Sequence, residues 1–440
     1  AFIDAHAHPI SLSIKYNWYD LSDVRSKRDL LNLIGEYSER KKAPFIGYNF
    51  DESKWIDDKT YPTRKEIDDV APDIPVLLIR IDGHFGVVNT KAIDTLRLSR
   101  HIFANYNYGF IVEDNLYETV SRFIRIFNIV PSEDALDEFI RNGISLVCDM
   151  DMAYPVPEGT MNRFAKRINI YYYRVLEKLE GISESSLTEI LHRYRAKRLG
   201  IKMFADGSIG ARTAYLFEPY TDDPSNKGKL LLDGELLSAI VRAANKARVQ
   251  LAIHAIGDAA IDIVIRSLSW GDPELRHRIE HFEMPREDHI KELARHHIIP
   301  SMQPNFIANW QHPGGLYERR LGWERAGRMN PLRTILENSK IIAFGSDCMP
   351  IGPLYGIYGA MTHPLEHERL SFVEAVMCYT SGSAYAIFME DQIGKIETGF
   401  ESSFAVINLR PESISSEDVR DSKILALFRQ GVKVFGLNKF

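Results

Sequence analysis

Cysteine is nearly missing from this chain: 440 residues carry three, Cys148, Cys348 and Cys378. An odd and sparse set rules out a disulfide framework and points to a reducing compartment. Long apolar runs are missing too, and none approaches the roughly 20 residues that a membrane helix needs. No signal-peptide pattern stands at the start of the sequence. Charge of one sign is also lacking, because 54 basic and 60 acidic residues leave a net charge of −6. That balance is too mild for a nucleic-acid surface or a membrane-surface anchor. There is no low-complexity tract and no repeat of fixed period. These absences predict a cytoplasmic globular protein with no nucleic-acid and no membrane partner.

What is present is an ordinary globular composition, 45% hydrophobic and 26% charged, on a chain long enough for one large barrel or two to three domains. Eight short apolar runs stand out: Phe2–His8, Gly143–Asp151, Ile168–Val175, Gly200–Asp206, Val249–Ile256, Arg276–Phe282, Ile298–Asn305 and Lys340–Asp347. Most are almost continuously apolar, as strands covered on both faces are. Helical patterns follow many of them, as in Ser183–Arg198, Asp233–Arg248 and Pro285–His297. Eightfold alternation predicts an α/β fold, a (β/α)8 barrel over residues 1–26 and 112–385. An open, doubly wound sheet is the alternative. Residues 27–111, with Pro62, Pro72 and Pro75, break the alternation after the first strand and read as an insertion over the functional face. Residues 386–440 form a tail in which Phe404–Leu409 and Val432–Leu437 look like strands outside the barrel.

Histidines 6 and 8 sit at the end of the first strand, where residues two apart share a face and can address one metal. Composition alone yields about 0.4 such His-x-His triplets in a chain of this kind, so the pair carries little by itself. Four other strands answer it at the same level with Lys202, His254, His281 and Asp347. A lysine or an aspartate in such apolar surroundings is costly unless paired or bound to metal. Barrel enzymes build their sites at this face.

This set resembles the amidohydrolase superfamily, and within it the YtcJ-like branch that includes N-substituted formamide deformylases. The resemblance spans nearly the whole chain. It rests on Phe-Ile-Asp-Ala-His-Ala-His-Pro (2–9), Pro-Thr-Arg-Lys-Glu-Ile-Asp (62–68), Ile-Asp-Gly-His-Phe-Gly-Val-Val-Asn-Thr (81–90), Lys-Met-Phe-Ala-Asp-Gly-Ser-Ile-Gly-Ala-Arg-Thr-Ala (202–214), His-Ala-Ile-Gly-Asp (254–258), Arg-Ile-Glu-His (278–281) and Gly-Ser-Asp (345–347). The stretch 202–214 is the most specific, and Gly-Ser-Asp the least. The resemblance implies a binuclear centre, with His6, His8 and Asp347 on one metal and His254 and His281 on the other. Lys202 would bridge them as a carbamate; an ordinary Lys202 paired with Asp206 or Asp347 is the competing reading. Zinc suits the imidazole and oxygen ligands, and iron, manganese, nickel and cobalt fit them too. The implied reaction is hydrolysis of a carbon–nitrogen bond in an amide or N-acyl compound by a metal-bound hydroxide, with Asp347 as general acid/base.

Members of the branch also build a small β-sandwich from segments on both sides of the barrel. Only the returning segment, Gly394–Glu401 with Phe404–Leu409, is recognisable here. The expected tail is therefore an incomplete sandwich, or one packed on the barrel or on a second subunit of a homodimer. For a small-molecule substrate, His84 in Asp82-Gly83-His84, Arg212, Gln303, Asn305 and Trp310 are candidate pocket residues. Three of them have a bland reading: a turn histidine for His84, a pairing with Glu218 or Asp223 for Arg212, and a core position for Trp310. The same metal site would also serve lactone or phosphoester hydrolysis or deamination, and a barrel turned regulator would have lost ligands that this chain retains.

Overall fold

The eight apolar runs are strands, each shorter than its sequence boundaries. Most lose one to four residues and the last loses six: they are β1 (Phe2–Ala7), β2 (Ile144–Asp149), β3 (Asn169–Val175), β4 (Gly200–Phe204), β5 (Leu251–Ala255), β6 (Arg278–His281), β7 (Ile299–Met302) and β8 (Ala343–Phe344). All seven neighbouring pairs are parallel and follow chain order. That order excludes the doubly wound sheet and establishes the (β/α)8 barrel. The computed structural model describes residues 1–440 except 82, 84, 151–158, 177–181, 197–199, 410–413 and 437–440. The covering helices follow the sequence pattern closely. Gly234–Ala247, for example, starts at Asp233, whose side chain accepts from the N–H groups of Glu235 and Leu236, and it buries Leu237, Ile240, Val241 and Ala244.

Strand β8 is only two residues long, and its seam with β1 is closed by a side chain as well as by main chain. The Asp347 N–H donates to the His6 carbonyl at 2.7 Å. Asp4, fully buried on β1, accepts from the Ser346 N–H at 2.9 Å and from the Ser346 hydroxyl at 2.5 Å. Burial pushes the Asp4 carboxyl up to about 6, and the bonds from Ser346 and His6 work against that. Gly345 permits the approach: a Cβ there would lie 2.4 Å from the His6 nitrogen.

The chain divides into two compact units. The first, Ala1–Ile10, Glu133–Ala153 and Met161–Phe440, holds the barrel and the tail; the second is Ser11–Ser132 with Tyr154–Thr160. The stretch 27–111 lies inside the second unit, which is a folded body of its own. It has a six-stranded mixed sheet in the order Tyr19–Asp20, Phe45–Phe50, Val76–Arg80, Phe85–Val88, Phe110–Val112, Phe103–Asn105. Its core includes Leu30, Phe45, Phe50, Trp55 and Ile67. The polar, proline-containing composition of the segment concealed this, because its strands are short and irregularly spaced.

The tail forms a three-stranded antiparallel sheet, β9 (Phe404–Ile407), β10 (Ile424–Arg429) and β11 (Val432–Gly436). Two of these strands were expected; β10 was not, although Ile-Leu-Ala-Leu-Phe-Arg is apolar enough to show it. Among the described residues the tail forms this one sheet, with the short helix Ser416–Arg420 between β9 and β10, and it is fastened to the barrel. The Ala1 nitrogen donates to the Ser403 carbonyl at 2.9 Å, and Arg429 Nη2 donates to the Lys166 carbonyl at 2.8 Å.

Replacing Asp4 by Ala leaves the Ser346 N–H and hydroxyl buried without their acceptor. The expected cost is about 2 kcal/mol of stability, read from the denaturant midpoint. An unchanged midpoint would remove Asp4 from the barrel closure.

Candidate metal centre

The site begins with what holds His6 in place. Strand β6 carries Arg278 and Glu280, both fully buried, at the two-residue spacing that points them to the barrel interior. The Arg278 guanidinium lies 2.8 Å from Glu280 Oε1 as an ion pair. It donates further to the Ala5 carbonyl at 2.7 Å, the Ser301 hydroxyl at 2.8 Å and the Tyr173 hydroxyl at 3.0 Å. Three other strands thus meet on one side chain. Glu280 Oε2 in turn stands 2.6 Å from His6 Nδ1. A carboxylate paired with an arginine accepts, so Nδ1 carries the hydrogen and Nε2 keeps its lone pair for a metal.

His281 follows Glu280 directly, where strand alternation would send it away from the interior. The backbone prevents this, because His281 and Phe282 both adopt left-handed conformations, φ 72° and 51°. The turn brings the His281 ring to 4.7 Å from that of His6 and 4.4 Å from that of His254. Asp347 and Cys348 repeat the device at the end of β8, with φ 53° and 58°. Left-handed non-glycine residues are strained and concentrate at functional sites. Asp347 Oδ1 lies 2.7 Å from His8 Nε2 and 3.7 Å from His6 Nε2. His254 Nε2 is 3.0 Å from the Gly207 carbonyl. A carbonyl can only accept, so Nε2 is the donor there and Nδ1 keeps its lone pair.

Electrostatics hold three of the imidazoles, His6, His254 and His281, neutral. Burial first, and then the nearby Lys202 charge, keep His6 well below the ordinary histidine range and bring His254 down to about 4. Burial and the neighbouring His254 do the same to His281. Neutral imidazole is the form that ligates metal. Burial works to raise the Asp347 carboxyl, but the hydrogen bond and charge of His8, with His6 and Lys202, outweigh it and hold it below the ordinary aspartate value. Lys202 is buried on β4, with Nζ 5.0 Å from the Phe204 ring centre. Its charge acts on His6, His254, His281 and Asp347.

The donor set fits a divalent metal. Among the described residues, the ligand atoms of His6, His281 and Asp347 lie within 4.8 Å of one another. His281 Nδ1 is buried with no hydrogen-bond partner among the described residues, as an atom meant for a metal would be. This trio crosses the division that the resemblance implies, taking one histidine from each proposed metal. Asp206, a rival partner for Lys202, has its carboxylate engaged by the N–H groups of Tyr215, Ile256 and Gly257 at 2.9–3.0 Å.

The substrate candidates fare differently. His84 lies outside the described residues. Arg212 is held by Asp222 through two bonds of 3.0 and 2.8 Å, and Asp222 also takes Arg320 at 2.6 Å. The pairing expected with Glu218 or Asp223 is therefore corrected to Asp222, whose side chain the loop turn presents instead. Gln303 is buried, and its Oε1 has no hydrogen-bond partner among the described residues. Trp310 packs against the apolar cluster that contains Tyr317 and Leu321, and its ring lies 4.6 Å from that of Phe306. Asn305 is structural: it donates to the carbonyls of Ser346 and Met349 at 2.8 and 2.7 Å, bracing the loop that bears Asp347. Sequence reasoning passed over Asp4, Arg278, Glu280 and Ser346. The signal was present, since Arg278 and Glu280 are charges in an apolar strand, the same anomaly that marked Lys202.

The family model of the amidohydrolase family, Amidohydro_3, matches residues 1–435, and the chain belongs to this family. It is 30% identical to the YtcJ protein of Bacillus subtilis (strain 168) over 450 residues, covering 94% of this chain and 84% of that one. It is 23% identical to an N-substituted formamide deformylase of Arthrobacter pascens, covering 98% and 87%. The crystal structure of an uncharacterised metal-dependent hydrolase from Pyrococcus furiosus superposes with a TM-score of 0.72 at 28% identity, over 91% of this chain and 85% of that one. The chain is thus a hydrolase on an amidohydrolase barrel. No helix among its described residues is long and apolar enough to cross a membrane.

Exchanging Glu280 for Gln keeps the shape but leaves the Arg278 charge buried without its counterion. The expected loss is about 3 kcal/mol of stability and about tenfold or more in metal affinity. Denaturation and competitive metal titration read the two separately. Wild-type metal affinity in E280Q would detach Glu280 from the centre.

Proposed function

We propose that this protein hydrolyses a carbon–nitrogen bond, amide or N-acyl, in a small molecule. The observation that carries the reading is Asp347, a half-buried carboxylate kept ionised between His8 and His6 at the edge of an imidazole cluster. His6, His281 and Asp347 would hold a divalent metal, and His8, His254 and Lys202 would complete a second position. Zinc is the first choice for imidazole and oxygen donors. When bound, the metal would supply Lewis acidity at the scissile carbonyl and acidify a water.

The chain's own residues supply the rest. Asp347 takes the proton of the attacking water and later hands it to the departing nitrogen, which alone would leave as a poor amide anion. The His8 hydrogen bond fixes which Asp347 oxygen is engaged, and Glu280 fixes the tautomer and plane of His6. Lys202 stands where a free ammonium opposes metal binding, so we assign it as the carbamate formed with carbon dioxide, which turns one positive charge into an anionic oxygen pair. The deformylase among the relatives makes formamides and other N-acyl compounds the first substrates to try.

Asp347→Asn should lower kcat by about 10²–10⁴-fold in a screen of N-acyl amino acids, formamides and lactones. Activity equal to wild type would refute the role of Asp347, and turnover of lactones alone would refute the carbon–nitrogen assignment. Chelation should abolish turnover and zinc should restore it. Metal reloading should be faster and more complete with bicarbonate than in carbon-dioxide-free buffer. Reloading indifferent to bicarbonate would return Lys202 to a plain ammonium.

A further inference from the structure

A second cleft of the barrel unit lies away from the metal centre. It has a volume of about 340 Å³ and is walled by the helix Asp137–Arg141, the end of the helix Thr160–Arg167 and the strands β10 and β11. Arg141 stands three residues before β2 and Arg167 two residues before β3. The cleft is therefore at the N-terminal end of the strands, whereas the metal ligands are at their C-terminal ends. In barrels that opposite end serves stability rather than catalysis, so a charged cavity there calls for its own explanation.

Its charge is one-sided. Four cations, Arg141, Lys166, Arg167 and Arg429, line it with a single carboxylate, Asp137. That carboxylate is already shared, because it pairs with the Arg167 guanidinium and lies 3.8 Å from Arg141. Two donors remain over. Arg429 spends Nη2 on the Lys166 carbonyl at 2.8 Å, while its Nη1 and the Arg167 Nε are buried without a hydrogen-bond partner among the described residues. Buried guanidinium N–H groups left unmade cost stability, and their planar geometry matches phosphate oxygens. Burial pulls the Arg429 guanidinium below its ordinary value, opposed by Glu401. The remaining wall is apolar: Ile140, Val434 and Phe435.

We propose that this cleft binds a phosphate monoester, its phosphate on Arg429 and Arg167 and its organic group on Val434 and Phe435. Four lining cations against one lining carboxylate suit a dianion, and the volume is that of a small-ligand pocket. The site would work as an effector or anchoring site, because no metal ligand faces it.

Calorimetric titration of the metal-loaded protein with phenyl phosphate and with inorganic phosphate, at constant ionic strength, tests this. One saturable site is expected, with phenyl phosphate tighter than phosphate. Arg429→Gln should weaken it about tenfold, the loss of one charge-assisted hydrogen bond, with metal content unchanged. If R429Q does not fold, Arg141→Gln with Lys166→Gln, both exposed positions, should give a similar loss. No saturation by about 10 mM, weaker than any specific site of this kind, overturns the proposal. So does equal binding in wild type and variant. Binding that survives R429Q but vanishes on metal removal places the anion at the metal centre and overturns it as well.

Discussion

A single buried ion pair, Arg278 with Glu280, ties this barrel to its chemistry. Two charges in an apolar interior carry a desolvation penalty of several kcal/mol each, and close pairing with further hydrogen bonds works against it. Here the arginine spends its remaining donors on β1, β3 and β7, and the glutamate spends its second oxygen on His6. Strand packing and imidazole orientation therefore rest on one network. A histidine held this way presents a defined nitrogen at little entropic cost when a metal arrives.

The opposite side of the centre is organised by three consecutive residues. Gly345 lets the end of β8 come against the backbone of His6, Ser346 satisfies the buried Asp4, and Asp347 turns through a left-handed backbone to meet His8. Barrel closure and carboxylate placement are one event here. That explains how a strand of two residues closes an eight-stranded barrel, since the seam relies on side-chain bonds rather than on a long ladder. It also gives Gly-Ser-Asp a physical content that its short, common composition hides.

Much of this was legible in the chain. The eight strands could be read because apolar runs of strand length alternate with helical periodicity, and both patterns follow from burial. His6, His8, Lys202, His254, His281 and Asp347 stood out because polar ligand types at strand ends are costly without a purpose, and the structure brings the ligand atoms of His6, His281 and Asp347 together. The fold of Ser11–Ser132 was not legible: its strands are two to six residues long, and its sheet mixes parallel with antiparallel pairs. Strand β10 was overlooked beside its two partners. The partner of Arg212 was misassigned among three neighbouring acids because sequence distance does not say which way a loop turns.

The sequence by itself determined the barrel and the chemical types at its mouth, because hydrophobic period and residue chemistry are local properties. Only the tertiary structure decided which nitrogen of His6 is free, that His281 turns into the cluster rather than away from it, and that Asp4 and Ser346 close the ring. Those depend on backbone angles and on partners up to 342 residues apart, and no local pattern records a contact between residues that meet only when the barrel closes.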